Sequence, residues 1–181
     1  LDEAVTPLKP DTFYGTCKAA LFQMLSEACP LDGIELAWAR VFFLYGPFEA
    51  KTRLVPDVIR ALISERPAAC GSGLAERDFM HVEDVATAMV AILDSDYCGP
   101  VNVASGSCVP LRDVILEIGS QLQRPEFIRL GSRPSLASEP RRMAAATAVL
   151  RERIGFRGGR SLKAGLAETI SWWRTHINQV E

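Results

Sequence analysis

Residues 34–46, IELAWARVFFLYG, run almost unbroken through apolar and aromatic side chains, between Gly33 and the Gly46-Pro47 pair. A strand with one wet face alternates polar and apolar residues. A run without that alternation predicts a strand buried on both faces, which is the habit of parallel sheets covered by helices. The chain around this run must therefore supply helices for both faces.

It supplies them. Asp11 or Thr12 is suited to cap a helix that runs to about Cys29, with Tyr14, Cys17, Leu21, Met24, Leu25 and Ala28 at helical spacing. LVPDVIRALISE places Val55, Val58, Ile59, Leu62 and Ile63 on one face, with Pro56 in the first turn, where its missing N–H is harmless. Residues 82–95 and 110–122 predict further helices, 100–106 a short strand and turn, and 126–130 another strand. The segments 70–79 and 133–142 read as loops, the first with room for a short strand pair. AVLRERIGF and SLKAGLAETISWWRTHI predict the closing helices, with Trp172, Trp173 and the Phe42–Phe43 pair as core. Helices alternating with short apolar strands define the α/β class with a parallel sheet.

The 181 residues suffice for one domain with a substantial core. A net charge of −2 gives no basic excess for nucleic acid or for an anionic membrane surface. No apolar run reaches the ~18 residues of a membrane span, and no signal-peptide pattern opens the chain. Cys17, Cys29, Cys70, Cys98 and Cys108 are odd in number and show no metal-ligand spacing, so they read as free thiols of a cytoplasmic protein, with no metal site. The opening LDEAVTP, without an initiator methionine, reads as the middle of a longer protein.

Tyr14 and Lys18 stand at i and i+4, hence on one helix face. A free phenol ionises near pH ~10, and bringing it ~3 units lower takes ~4 kcal/mol. One ammonium at ~4 Å, in an effective dielectric of ~20, supplies ~4 kcal/mol. The pair can therefore serve a proton transfer coupled to hydride transfer. By itself the spacing is also that of a packed tyrosine followed by a solvated lysine. Arg77, between a glycine-bearing loop and a helix, suits a phosphate, or equally a surface pair with Asp78 or Glu83. His81 has no second ligand or nucleophile beside it and reads as structural. Neither Gly71-Ser72-Gly73 nor GFRGG at 155–159 fits a dinucleotide fingerprint, and Ser105 and Ser107 lack a histidine at triad spacing.

Taken in order, PLKPDTFYGTCK, ARVFFLYGP, RLVPDVIRAL, GSGLAERDFMHVEDVATAM, GPVNVASG and LKAGLAETISWW resemble the extended short-chain dehydrogenase/reductases, specifically the NAD-dependent sugar-nucleotide epimerases and dehydratases. The resemblance covers nearly the whole chain. It implies the C-terminal part of a Rossmann-type NAD(P)-binding fold plus the smaller sugar-nucleotide-binding domain. On that resemblance residues 1–181 are a single fragment. About 1–50 hold the end of the Rossmann-type domain, and about 51–181 are mostly substrate-binding region with interleaved Rossmann elements. Tyr14 matches the catalytic tyrosine, and Lys18 the lysine that holds the ribose of NAD or NADP. Arg77 matches the arginine that contacts the nucleotide diphosphate. Arg53 and Leu54 fall in the segment passing near the nucleotide, and Arg133 matches a later diphosphate-binding arginine. The implied partner is a nucleotide sugar, and the implied intact enzyme a homodimer.

Three departures bear on function. The family's glycine-rich phosphate loop does not occur here, and its serine or threonine some two dozen residues before the tyrosine would precede Leu1. Phe43 stands where many members carry a substrate-binding asparagine, and RRMAAATAVL lacks an aspartate common in relatives. Two functions are open at this level. One is the C-terminal part of an epimerase, dehydratase or reductase, unable to turn over alone and exposing a sheet edge. The other is a non-catalytic module that keeps the nucleotide-sugar surface without the cofactor site.

Overall fold

The computed structural model describes residues 1–134 and 140–177. In chain order the elements are α1 (Phe13–Leu31), β1 (Ala37–Val41), β2 (Phe43–Tyr45), α2 (Leu54–Ile63), β3 (Ala68–Ala69), β4 (Glu76–His81), α3 (Val82–Leu93), β5 (Gly99–Val103), β6 (Cys108–Pro110), α4 (Leu111–Leu122), β7 (Ile128–Arg129), β8 (Arg142–Met143) and α5 (Leu162–His176). No helix among them is long and apolar enough to cross a membrane.

The apolar run forms two strands, not one. β1 lies parallel to β5, from Ala37 opposite Gly99 to Val41 opposite Val103. At Phe42 the partner changes, and β2 pairs in parallel with β4, Phe43 opposite Phe79 and Tyr45 opposite His81. The expected full burial is found at Tyr45 alone. β1 is half-buried with Val41 exposed, because β5 is its one strand partner among the described residues.

β4 corrects the loop expected over 70–79. Its buried residues include Arg77, Asp78 and His81, whose polarity hides the strand from a hydrophobicity pattern. It carries β2 on one side, with β6 antiparallel and β8 parallel elsewhere along its length. Arg142 thus belongs to a strand, while residues 135–139 of the expected 133–142 loop lie outside the described residues. The expected strand 126–130 shrinks to β7, because Pro125 starts a 3-10 turn through Phe127. The helix expected at 148–156 is one wide turn, Val149–Arg153, and Gly155 leaves it at φ +80°.

Thr12, not Asp11, caps α1, its Oγ1 accepting from the Gly15 N–H at 3.0 Å. The helix turns its small residues inward, Gly15 and Ala19 half-buried, with Phe22 against Trp38 at 5.2 Å between ring centres. Tyr14, Leu21 and Met24 are exposed, so the apolar stripe read from the sequence points largely outward. α2 behaves as read, with Val55, Val58, Ile59 and Leu62 all buried.

Two apolar clusters hold the chain. In one, α2, α4 and α5 pack around the fully buried Trp173, with Tyr45, Ile118 and Leu166. In the other, α3 and β5 pack Val85, Ile92 and Val101 against Met80, Leu150 and Phe156. Gly165 is the contact point between α5 and β2, since a Cβ there would fall 2.2 Å from the Tyr45 hydroxyl. Tyr45 cannot withdraw from a filled core, so Gly165→Ala is expected to destabilise the protein by about 1–3 kcal/mol in chemical denaturation, despite alanine's better helix propensity.

Candidate functional site

The first two turns of α1 carry Tyr14 and Lys18. They do share a face, with the Lys18 ammonium over the Tyr14 ring, 5.9 Å from its centre. Tyr14 is 71% exposed, which separates it from the other two tyrosines of the chain. Tyr45 is buried, its hydroxyl 3.5 Å from the Leu162 carbonyl, and burial pushes its phenol far above the usual tyrosine range. Tyr97 donates to the Pro100 carbonyl at 2.8 Å, and burial again raises it. Tyr14 is thus the one exposed phenol of the three. Lys18 lines a cavity of about 350 Å³ walled by Pro7, Pro10, Trp38, Arg40 and Phe42, and Tyr14 does not line it.

A second cavity, of about 570 Å³, opens where β2, β4 and the start of α2 meet. Arg53, Leu54 and Arg77 all line it, together with Phe43, Phe79 and Glu49. Phe42, at the change of strand partner, lines both cavities. Phe42 and Phe43 are half-buried cavity walls, not the core pair expected.

Arg77 is only 3% exposed, and this removes the surface pair as an explanation of it. Its Nη1 donates to the carbonyls of Glu76 and Pro140 at 2.8 and 2.9 Å, and the guanidinium stacks over Phe43, 5.4 Å from the ring centre. The phenyl ring in place of the family's asparagine thus becomes a platform for the arginine. The neighbouring Asp78 is fully buried and knits β4 to two loops. Its carboxylate accepts from Ser105 N (2.9 Å), Ser105 Oγ (2.6 Å), Gly106 N (3.0 Å) and Ala145 N (3.4 Å).

Arg53 is the residue before α2, and its side chain makes no capping bond. Glu49 is a cavity residue that no motif in the sequence singles out. The visible hint is its place four residues before Arg53. Phe48 precedes it in the left-handed region, φ +65°, with its ring 4.8 Å from Trp172. The Glu49 Oε2 is buried without a hydrogen-bond partner. Burial pushes its carboxyl up to about 7, against the pull of Arg53 and of the Gly46 N–H.

Arg133 stands apart. Its Nη1 pairs with Asp57 Oδ2 on α2 at 2.9 Å, and it does not line the cavity. His81 is structural, as expected: buried, capping α3 by accepting from the Glu83 N–H at 3.4 Å. His81, Glu83 and Glu168 bring metal-ligand atoms within 4.8 Å of one another, but Arg160 already binds both glutamates and Asp84.

Residues 1–104, more than half of the chain, match the profile of the NAD dependent epimerase/dehydratase family, and the chain belongs to that family. It is 32% identical over 139 residues to a dTDP-4-dehydro-6-deoxy-D-allose reductase of Streptomyces sp, covering 74% of this chain and 41% of the relative. It is 26% identical over 151 residues to UDP-glucuronic acid decarboxylase 1 of Arabidopsis thaliana, covering 80% of this chain and 34% of the relative. The chain therefore spans between a third and a half of these relatives. In fold it matches dTDP-glucose 4,6-dehydratase of Bacillus anthracis in complex with NAD (TM-score 0.86, 21% identity, 97% of this chain and 56% of that one). It also matches RMD of Pseudomonas aeruginosa complexed with NADPH (TM-score 0.86, 23% identity, 96% and 60%).

The four bonds to Asp78 hold the strand from which Arg77 reaches the cavity. Asp78→Ala takes the acceptor from three backbone donors, of which the Ala145 N–H is buried, and is expected to cost about 2 kcal/mol in urea denaturation. A loss under about 1 kcal/mol would show that the loops hold β4 without it.

Proposed function

We propose that this chain carries the proton-transfer pair and the nucleotide-diphosphate subsite of an NAD(P)-dependent epimerase, dehydratase or reductase acting on a nucleotide-activated sugar. The observation that carries the reading is the convergence of Arg53, Leu54 and Arg77 on one cavity that shares Phe42 with the cavity lined by Lys18. A diphosphate needs fixed cations and backbone donors. Two guanidiniums and the first turn of α2 provide them side by side. Family membership supports the class of reaction.

In this reading Tyr14 takes the proton of a sugar hydroxyl and returns it. Its exposure leaves it free to do so, with the Lys18 ammonium beside its ring. Lys18 also holds the ribose next to the nicotinamide, in the cavity it lines. Bound NAD or NADP supplies the hydride acceptor. The residues present fit the nicotinamide-ribose end of that cofactor. Its pyrophosphate is not assigned to them, since no glycine-rich turn links a strand to a helix N-terminus among the described residues. Arg77, braced by two carbonyls and Phe43, anchors the sugar's diphosphate, with Arg53 and the Leu54 N–H beside it. Arg133 joins only by exchanging Asp57 for a phosphate oxygen.

Tyr14→Phe in the intact protein is expected to lower turnover of a UDP- or dTDP-sugar by at least about 100-fold, with UDP-glucose or dTDP-glucose affinity unchanged within about twofold. Arg53→Ala is expected to do the opposite, weakening nucleotide-sugar binding by about tenfold or more. Turnover near normal in the first variant would sink the assignment of Tyr14. Unchanged affinity in the second would remove Arg53 from the diphosphate subsite.

A further inference from the structure

Resting on the diphosphate reading of the larger cavity, the geometry points to Glu49 as a proton-carrying specificity residue of that site, which donates a hydrogen bond to the diphosphate and takes up a proton when the anion binds. The reasons are local. An anion subsite that holds two arginines also holds a carboxyl group, which is the wrong charge if ionised. The Glu49 Oε2 is buried with no hydrogen-bond partner, so nothing in the protein uses that oxygen. An ionised oxygen in that position loses its water and gains no donor. A protonated one becomes a donor in need of an acceptor, and a phosphate oxygen is one.

The charged groups facing Glu49 can be named element by element. Arg53 comes from the start of α2 and Arg77 from β4. β2 offers Phe43 and Leu44, and α4 offers Leu111, none charged. Asp57, one turn into α2, is engaged by Arg133. The balance of burial against Arg53 leaves the carboxyl poised at about 7, so a modest change in local charge decides its state. A diphosphate brings negative charge beside it and favours the protonated form further. The sign of the linkage follows. Below about pH 7 Glu49 already holds its proton and affinity is flat. Above it, binding must draw a proton from solution, and affinity falls until the pH passes the higher value of the bound state. A second consequence is selectivity, because a donor facing the subsite favours a phosphate oxygen over a ligand group that only donates.

The test is isothermal titration of the full chain with UDP-glucose and with dTDP-glucose, diphosphate diesters that do not themselves titrate near neutrality. Titrations in two buffers of different ionisation enthalpy count the protons taken up. For the wild-type protein the expected result is a fall in affinity of about tenfold between about pH 6.5 and about pH 8.5, with net proton uptake at the higher pH. Glu49→Gln mimics the protonated acid. It is expected to bind with similar affinity at both pH values and to show no uptake. Wild-type binding that is independent of pH, or proton uptake that persists in Glu49→Gln, overturns the role of Glu49 and leaves the cavity's assignment standing. Binding of neither sugar nucleotide at about pH 6.5 overturns both.

Discussion

At Phe42 one extended segment changes partner. Up to Val41 its backbone pairs with β5, and from Phe43 with β4. The Phe42 N–H still bonds the Val103 carbonyl at 3.1 Å, so the chain is handed over without a gap in hydrogen bonding. Phe42 also lines a cavity to either side, the one beside Lys18 and the one with Arg53 and Arg77. The two apolar clusters also fall on either side of this point, one around Trp173 and the other around Val101 and Leu150. The handover thus sets the arginine-lined cavity against the one beside Lys18.

β4 then does what an apolar strand could not. It holds an arginine, an aspartate and a histidine below a tenth of full exposure, and each has a partner outside the strand or at its end. Asp78 reaches Ser105, Gly106 and Ala145, Arg77 reaches Pro140, and His81 caps α3. These bonds do little for net stability compared with apolar packing, since each replaces a bond to water. Their effect is positional. Two carbonyls and a phenyl ring fix the guanidinium of Arg77 at the cavity wall.

The parts of the structure legible in the sequence are those governed by local periodicity. α2 and α3 appear as read, because their buried residues recur every three or four positions. β4 was illegible for the opposite reason, its buried Arg77 and Asp78 being held by groups more than 20 residues away. The single strand expected at 34–46 was half legible. Composition shows that the segment is extended and apolar, but which strand lies beside each half is a tertiary matter. The outward face of α1 was misread, because helical spacing cannot say which of two apolar stripes meets Trp38. Among site residues, Arg53, Leu54 and Arg77 could be gathered through ordered motifs and do meet in one cavity, whereas Arg133 does not line it. Glu49 was invisible, since burial, and not residue type, makes it unusual.

Two oxygen acids of this chain sit in opposite environments, and the contrast bears on how the site works. The phenol of Tyr14 is exposed, with the Lys18 ammonium 5.9 Å from its ring centre. The Glu49 Oε2 is buried, and its carboxyl, raised to about 7, responds directly to charge placed in the cavity. The proposed diphosphate therefore acts on Glu49 directly, in the cavity that Glu49 lines, whereas Tyr14 lines neither cavity and meets only a part of the ligand that reaches beyond them.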